Sequence, residues 1–494
     1  MKHIILTGIL FISTLMMQAQ PALTLDAAID TAIHHSPDIL TSELSMTISE
    51  ENLKAQEAAL KSNFSFQVTP FNYSQVREFN DLYAQWNTNE SKRSYGEFIV
   101  SQPIKFSDGT ISLRNQLEYQ DVYSEFSDSR TKGFSNNLYM VLSQPLFTYN
   151  RIRMEVDRLK LDLENATLSY AIRRMYLEMQ VTEYYYNVYQ RKMALRIAED
   201  EYDNQKQSTG IIRSKVEADL SPKEELYQAE LNMSTSESNL QNAQVDLENA
   251  KDQFKQYIGM DLSSDFDVLA DVEYKLVSVQ LNKAIQNGLD TRMELQQKEI
   301  SLKNSYYDLT VAKATNEFKG NIDVSMGLFG ENPNLSNVYE TPTRSPQVAV
   351  TFSIPIWDWG QRKSRIKAAE ANVRIREIDL GNERSNIELA IRQSYRRLKN
   401  LTLQIQIAQQ NVKNAQLTYE INLERYKNGD LTSMDLQLFQ NQLSEKRMNL
   451  SNSLISYKLE LLNMKIQSLW DFENNTSFVP VKLQNNLINK SENE

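Results

Sequence analysis

The side chains best suited to chemistry are scarce in this sequence and poorly grouped for it. There is no cysteine, and the histidines are His3, His34 and His35. Without thiols there can be no disulfide, no thiolate zinc site and no thiol nucleophile. Two adjacent imidazoles cannot by themselves build a His-rich metal site, although carboxylates could still hold a hard cation. His34 and His35 fall near the end of a helical stretch, just before Pro37, and read as incidental polar residues. Sixty-four acidic against 53 basic residues give a formal net charge of -11, so nothing here would neutralise a phosphate backbone and no nucleic-acid partner is expected. The sequence points away from an enzyme, with no metal or cofactor.

The first residues explain where the chain goes. Lys2 and His3 precede an apolar run from Ile4 to Met17, followed by Gln18, Ala19 and Gln20. This reads as a secretory signal peptide over residues 1–20, too short to span a bilayer stably. No later window approaches the ~18 consecutive apolar residues of a membrane helix. An exported chain of this kind can enter a membrane only as a β-barrel.

The elements follow from breakers and periodicity. Residues from roughly 146 to 288 and from 356 to 473 are almost free of Pro and Gly and rich in Leu, Ala, Gln, Glu, Asn and Lys, a long-helix composition. Leu226, Ala229, Met233, Ser236, Leu240, Ala243, Leu247, Ala250, Phe254 and Tyr257 are spaced 3 and 4 throughout, and the run from Ile387 to Tyr419 repeats the pattern. Such heptad seams predict helices supercoiled against partners. Leu450, Leu454, Tyr457, Leu461 and Met464 form one seam, and Ile455, Leu459, Leu462, Ile466 and Leu469 a second, so this helix packs between two neighbours. That is the geometry of a closed wall or of an ordinary bundle.

Elsewhere the period is two. Val348, Val350, Phe352, Ile354 and Ile356 alternate with polar or small residues, as do Ile322, Val324, Met326 and Leu328, and Phe64, Phe66 and Val68; Leu138 to Pro145 is a less regular strand. The chain reads as an internal duplication. Leu142 to Phe147 matches Phe352 to Trp357 at an offset of 210, and Leu25 to Ile29 matches Leu281 to Ile285 at 256. The offsets differ by 46, so the first half carries about that many extra residues, including a Ser107-Asp108-Gly109 turn and the alternating run Ile111 to Tyr119. They read as an additional hairpin at about residues 73–133. The expected plan is a first repeat over 21–270, a second over 271–473, and a polar tail over 474–494. Arg151 to Asp219 and Gln361 to Gly429 each span 68 positions, a helix ~100 Å long.

With these residues in order, the chain resembles the TolC-type outer-membrane efflux protein family over essentially its whole mature length. The resemblance is carried by the opening Leu23-Thr24-Leu25-Asp26-Ala27-Ala28-Ile29 through Ser36-Pro37-Asp38. It continues in the strand-to-helix junctions Ser143-Gln144-Pro145-Leu146-Phe147 and Ser353-Ile354-Pro355-Ile356-Trp357-Asp358-Trp359-Gly360-Gln361. The hairpin tip Arg425-Tyr426-Lys427-Asn428-Gly429-Asp430-Leu431-Thr432-Ser433-Met434-Asp435-Leu436 completes it. The fold this implies is mixed α+β and mostly helical. Three protomers, each giving four strands, share one twelve-stranded outer-membrane barrel, continued by a periplasmic coiled-coil tunnel. The implied partners are outer-membrane lipid, a periplasmic adaptor (membrane fusion) protein, and an inner-membrane pump of the resistance-nodulation-division or ABC type. Substrate would pass out passively through the gated tunnel.

The resemblance also assigns residues. Gly429, Asp430, Leu431 and Thr432 at one tip, with Asp219, Leu220 and Ser221 at the other, would meet the adaptor. Asp219 stands where the family usually has glycine. Tyr426 matches a tyrosine that ties neighbouring coils together, Glu225 replaces its aspartate partner, and Asp435 matches an aspartate of an acidic ring; Leu438 occupies the place of a second ring acid. The rival reading is a secreted periplasmic spacer, a structural coiled coil, which would have no use for the two-period segments. The extra hairpin could widen the barrel or stand above the membrane as an extension of the extracellular loops, and the second is expected because a barrel's shear and strand number must stay consistent.

Overall fold

The computed structural model describes residues 22–81, 83–269, 275–428 and 430–478. The expected signal peptide, Gly429 and the tail beyond residue 478 lie outside the described residues. In chain order the elements are β1 (Ala22–Leu23), α1 (Leu25–His35), α2 (Pro37–Ala59), β2 (Asn63–Asn80), β3 (Gln85–Ile104), β4 (Gly109–Ser124), β5 (Ser129–Leu146), α3 (Arg151–Glu217) and α4 (Lys223–Ile258). They continue with β6 (Asp267–Val268), α5 (Leu281–Thr291), α6 (Met293–Lys313), β7 (Lys319–Asn332), β8 (Thr343–Ser353), α7 (Gln361–Lys427), α8 (Ser433–Ser468), β9 (Trp470–Asp471) and β10 (Thr476–Ser477). Among the described residues no helix is long and apolar enough to cross a membrane.

Helices α3 and α7 are 67 residues each and α4 and α8 are 36 each, and the later pair starts 210 positions after the earlier. At 1.5 Å per residue the long helices measure ~100 Å. The chain divides into two compact units that do not follow the sequence halves. One draws on Met1–Glu43, Ser169–Met293 and Arg384–Glu494, the other on Leu44–Leu168 and Glu294–Glu383.

The second unit is built on a six-stranded antiparallel sheet in the order β2-β3-β4-β5-β7-β8. Its pairing lines fix which residues share a face. Phe64 pairs with Val100, Val100 with Leu113, Leu113 with Met140, Met140 with Met326 and Met326 with Pro346. Because side chains alternate with period two, Phe64, Phe66, Val68, Phe98, Val100, Ile111, Leu113, Leu138, Met140, Val324, Met326, Val348, Val350 and Phe352 all lie on one side. This apolar band crosses all six strands and faces outward: Phe66 is 68% exposed and Val348 69%. The other side is polar and less accessible, with Glu118 only 8% exposed. There Arg93 and Glu118, and Arg114 and Glu97, approach at 3.6 Å. A sheet with its apolar side open and its ion pairs on the opposite side is inverted relative to one packed on a core in water, and it is the pattern of a membrane barrel wall.

The extra hairpin is therefore corrected in position. It does not stand beyond the sheet; β3 and β4 are full members, paired along their length between β2 and β5. Two strands are the smallest insertion that leaves β2 and β5 pointing in their original directions. The flanking strands also run further than their alternation indicates, β2 to Asn80 and β5 from Ser129; in β2 a register shift between Thr69 and Asn72 exchanges the faces midway.

In the first unit the expected seams are covered. Ala229, Ser236, Leu247, Ala250 and Phe254 of α4 and Ile387, Ile391, Ser394, Leu398, Ile405 and Ala408 of α7 are buried. Residues from both α8 seams are buried as well: Tyr457 and Met464 from one, Ile455, Ile466 and Leu469 from the other. The short parallel pair β1·β6 is clamped by Tyr185 of α3, whose hydroxyl lies 2.9 Å from the Leu23 carbonyl and 2.6 Å from that of Leu269. Burial of that phenol pushes its pKa up to about 12. His34 and His35 turn their Nδ1 atoms back onto the Asp30 and Thr31 carbonyls of their own helix.

Candidate functional site

The candidate residues fall at two places, the hairpin tips and the strand-to-helix junctions. At the first tip, α3 ends with the Leu220 N–H donating to the Lys215 carbonyl at 2.8 Å, and at the second the Asp430 N–H donates to the Arg425 carbonyl at 2.9 Å. Both are six-residue closures of the kind that follow a left-handed residue. Asp219 supplies that residue at the first tip, with φ 59°. Its short polar side chain is among the few that tolerate the conformation, which explains how it stands in place of glycine. Gly429 lies outside the described residues.

The second hairpin restarts on a side-chain N-cap at Thr432. Thr432 Oγ1 accepts the Asp435 N–H at 3.2 Å and donates to Asp435 Oδ2 at 2.6 Å. Asp435 thus helps start α8. Tyr426, Glu225, Asp430, Leu431, Thr432 and Asp435 line one groove of about 610 Å³. Tyr426 and Glu225 share it without a hydrogen bond to each other among the described residues. Leu220 and Met434 are exposed beside it.

At the junctions, Pro145 pairs with Asn321 near the end of β5, and Pro355 follows β8. Each long helix then starts on a carboxylate, but the two carboxylates come from different places. For α7 it is local: Asp358 accepts the N–H of Arg362 and of Gly360, each at 2.9 Å, and these bonds hold its carboxyl below the usual range. Gly360 takes φ 83°, which lets the chain turn into the helix. For α3 the position 210 residues earlier is Thr148, and the carboxylate is supplied by Asp108, in the turn between β3 and β4. Asp108 Oδ1 accepts the Ile152 N–H at 3.1 Å, and Oδ2 pairs with Arg151 Nε at 2.9 Å. Nearby, Gln144 Nε2 donates to the Ser107 carbonyl and Asn150 Nδ2 to that of Lys105. The extra hairpin is thereby fastened to the start of α3. Sequence reasoning identified the turn but not this task, because the partners are 43 and 44 positions away. Asp108→Ala should cost about 1–3 kcal/mol, the loss of a helix cap and a charge-assisted hydrogen bond, read as a lower urea midpoint than that of the native protein.

Aromatic side chains collect at the same end of the sheet. Phe318 contacts Phe147 and stacks on Phe352, with ring centroids 5.3 and 5.7 Å apart, and Trp357 and Trp359 form an edge pair at 5.6 Å. Toward the other end, Tyr119 and Phe134 pair at 5.1 Å. Aromatic side chains toward both ends of an outward apolar band are in keeping with the interfacial girdles of membrane barrels.

Residues 284–464 match the family model described as outer membrane efflux protein. In three dimensions the chain is similar to the Campylobacter jejuni CmeC outer membrane channel, with 15% identity and a TM-score of 0.69 over 93% of this chain and 88% of that one. It is also similar to the outer membrane protein VceC of Vibrio cholerae (12%, 0.65, 90% and 96%). The open-state MtrE outer membrane channel of Neisseria gonorrhoeae gives 12%, 0.63, 90% and 88%. None of the curated proteins matches the chain.

Proposed function

We propose that the chain, whose residues 284–464 match the outer membrane efflux protein family model, is a member of that family and forms a trimeric export duct. It is an outer-membrane protein whose helical part lies in the periplasm, and it is read as a transport channel with no enzymatic role. Three copies would close a barrel through the membrane and a coiled-coil tunnel beneath it. A periplasmic adaptor would dock at the tips around Asp219, Leu220, Ser221, Gly429, Asp430, Leu431 and Thr432, and an inner-membrane pump of the resistance-nodulation-division or ABC type would load it. Transport through the duct is passive.

The observation that carries this reading is the inverted sheet with two unpaired edges. An open edge cannot face lipid, because each unsatisfied backbone group there costs several kcal/mol. The edges β2 and β8 therefore need partners, and other copies of the chain supply them. The gate is assigned to the tips, where Tyr426 and Glu225 would hold neighbouring hairpins together at rest and Asp435 would add to an acidic ring.

Single-channel recording in planar bilayers tests both parts. The native protein should conduct weakly, and Tyr426→Phe combined with Glu225→Gln should raise its conductance several-fold. Unchanged conductance would remove both residues from the gate, and a native protein that never conducts, in a variant series that also never conducts, would overturn the duct.

A further inference from the structure

The strand count leads beyond that reading. Six strands of each protomer, not four, carry the apolar band, and β3 and β4 carry it as fully as their neighbours through Phe98, Val100, Ile111 and Leu113. We propose that three copies of this sheet close a single eighteen-stranded barrel, with β8 of each copy pairing antiparallel with β2 of the next. The inference rests on the trimeric duct and specifies its wall.

Strand directions allow the closure. Along the sheet they alternate from β2 to β8, so β8 runs opposite to the β2 that would follow it, and an even number per copy keeps every seam antiparallel. The stagger allows it too. The pairing line that starts at Phe64 reaches β8 at Pro346, six positions from Phe352, the residue that marks the helix-side border of the band on that strand. Returning the band to its own level at the seam sets Phe64 beside Phe352, Phe66 beside Val350 and Val68 beside Val348. A stagger of six residues over six strands corresponds to a tilt of about 35°, inside the range of closed barrels. The shear and strand number are thus consistent with the inserted pair included.

The consequence is width. At 4.8 Å between strands and that tilt of about 35°, eighteen strands enclose a backbone diameter of about 34 Å, against about 23 Å for twelve. The added wall is polar inside and balanced in charge, because Arg93 pairs with Glu118 and Arg114 with Glu97 on the water-facing side.

Two sets of cysteines in this cysteine-free chain separate the possibilities. Ser65→Cys with Thr351→Cys, on the polar face of the seam, should oxidise to a disulfide between copies, giving covalent trimers on denaturing gels. Single cysteines at Phe98, Leu113 and Gln116 then locate the inserted pair in vesicle-reconstituted trimers of verified mass. A membrane-impermeant maleimide should label the Gln116 site at least about ten-fold faster than the Phe98 and Leu113 sites, which would face lipid. Equal rapid labelling of all three, with the seam disulfide formed, overturns the eighteen-stranded wall and leaves the duct standing. Absence of the disulfide together with a monomeric mass overturns both.

Discussion

Leu113→Arg is expected to destabilise the protein by about 1–3 kcal/mol, the cost of an arginine on the lipid side of a barrel between the interface and the midplane. The prediction follows from pairing rather than from hydropathy. Leu113 lies between Val100 and Met140 in the sheet, within a band that runs on through Met326. Its neighbour Arg114 points the other way, toward Glu97. Gln116→Arg, also on the polar face, should therefore change stability by less than about 0.5 kcal/mol, as surface substitutions generally do. Urea titration of refolding into phospholipid vesicles measures both. A hairpin standing above the membrane would make the two substitutions equally mild, so a small effect at Leu113 would remove β4 from the wall.

Much of this arrangement was written locally in the chain. Long helices begin at Arg151 and Gln361 and run to Glu217 and Lys427, close to the limits that the scarcity of Pro and Gly marks out. Strands β7 and β8 follow directly from alternation around Val324 and Val350. What the sequence concealed was long-range. The face exchange within β2 hides its outer half from any test of strict alternation, since Phe66 and Tyr73 share a side although their separation is odd. The place of the extra hairpin depended on which partners β3 and β4 choose, and alternation is the same for a hairpin in a wall and one above it. Asp108 reads as an ordinary turn residue, and only the fold sets its carboxylate at the start of α3. The tip residues were legible as turns because closures and caps have local signatures; their roles toward other chains involve partners that no single chain contains.

The proposed assembly would bury a further line on α7, and the largest effect is expected there. The helix buries one heptad seam within the protomer, yet a second apolar line stays open: Leu403, Ile407, Leu417 and Ile421, with Ile421 63% exposed. Leu403 and Leu417 are two heptads apart, as are Ile407 and Ile421, with Gln410 and Asn414 at the positions between. Side chains at such intervals lie along one edge of a helix and fit a supercoiled neighbour, while the polar residues between them restrict the register. Fully covering an Ile or Leu contributes about 1.5–3 kcal/mol, so covering this line in the proposed trimer would contribute several kcal/mol per copy. Ile407→Glu with Ile421→Glu replaces that contribution with two carboxylates to be desolvated at the same contact. The expected result is loss of the trimer, read as a monomer-sized particle by light scattering in mild detergent, with helix content by circular dichroism retained because the internal seam through Ile405 and Ala408 is untouched. Lys413→Glu, on an exposed position outside that line, should leave the trimer intact. A double variant that remains trimeric would show that this edge of α7 faces water in the assembly and that the chains meet elsewhere.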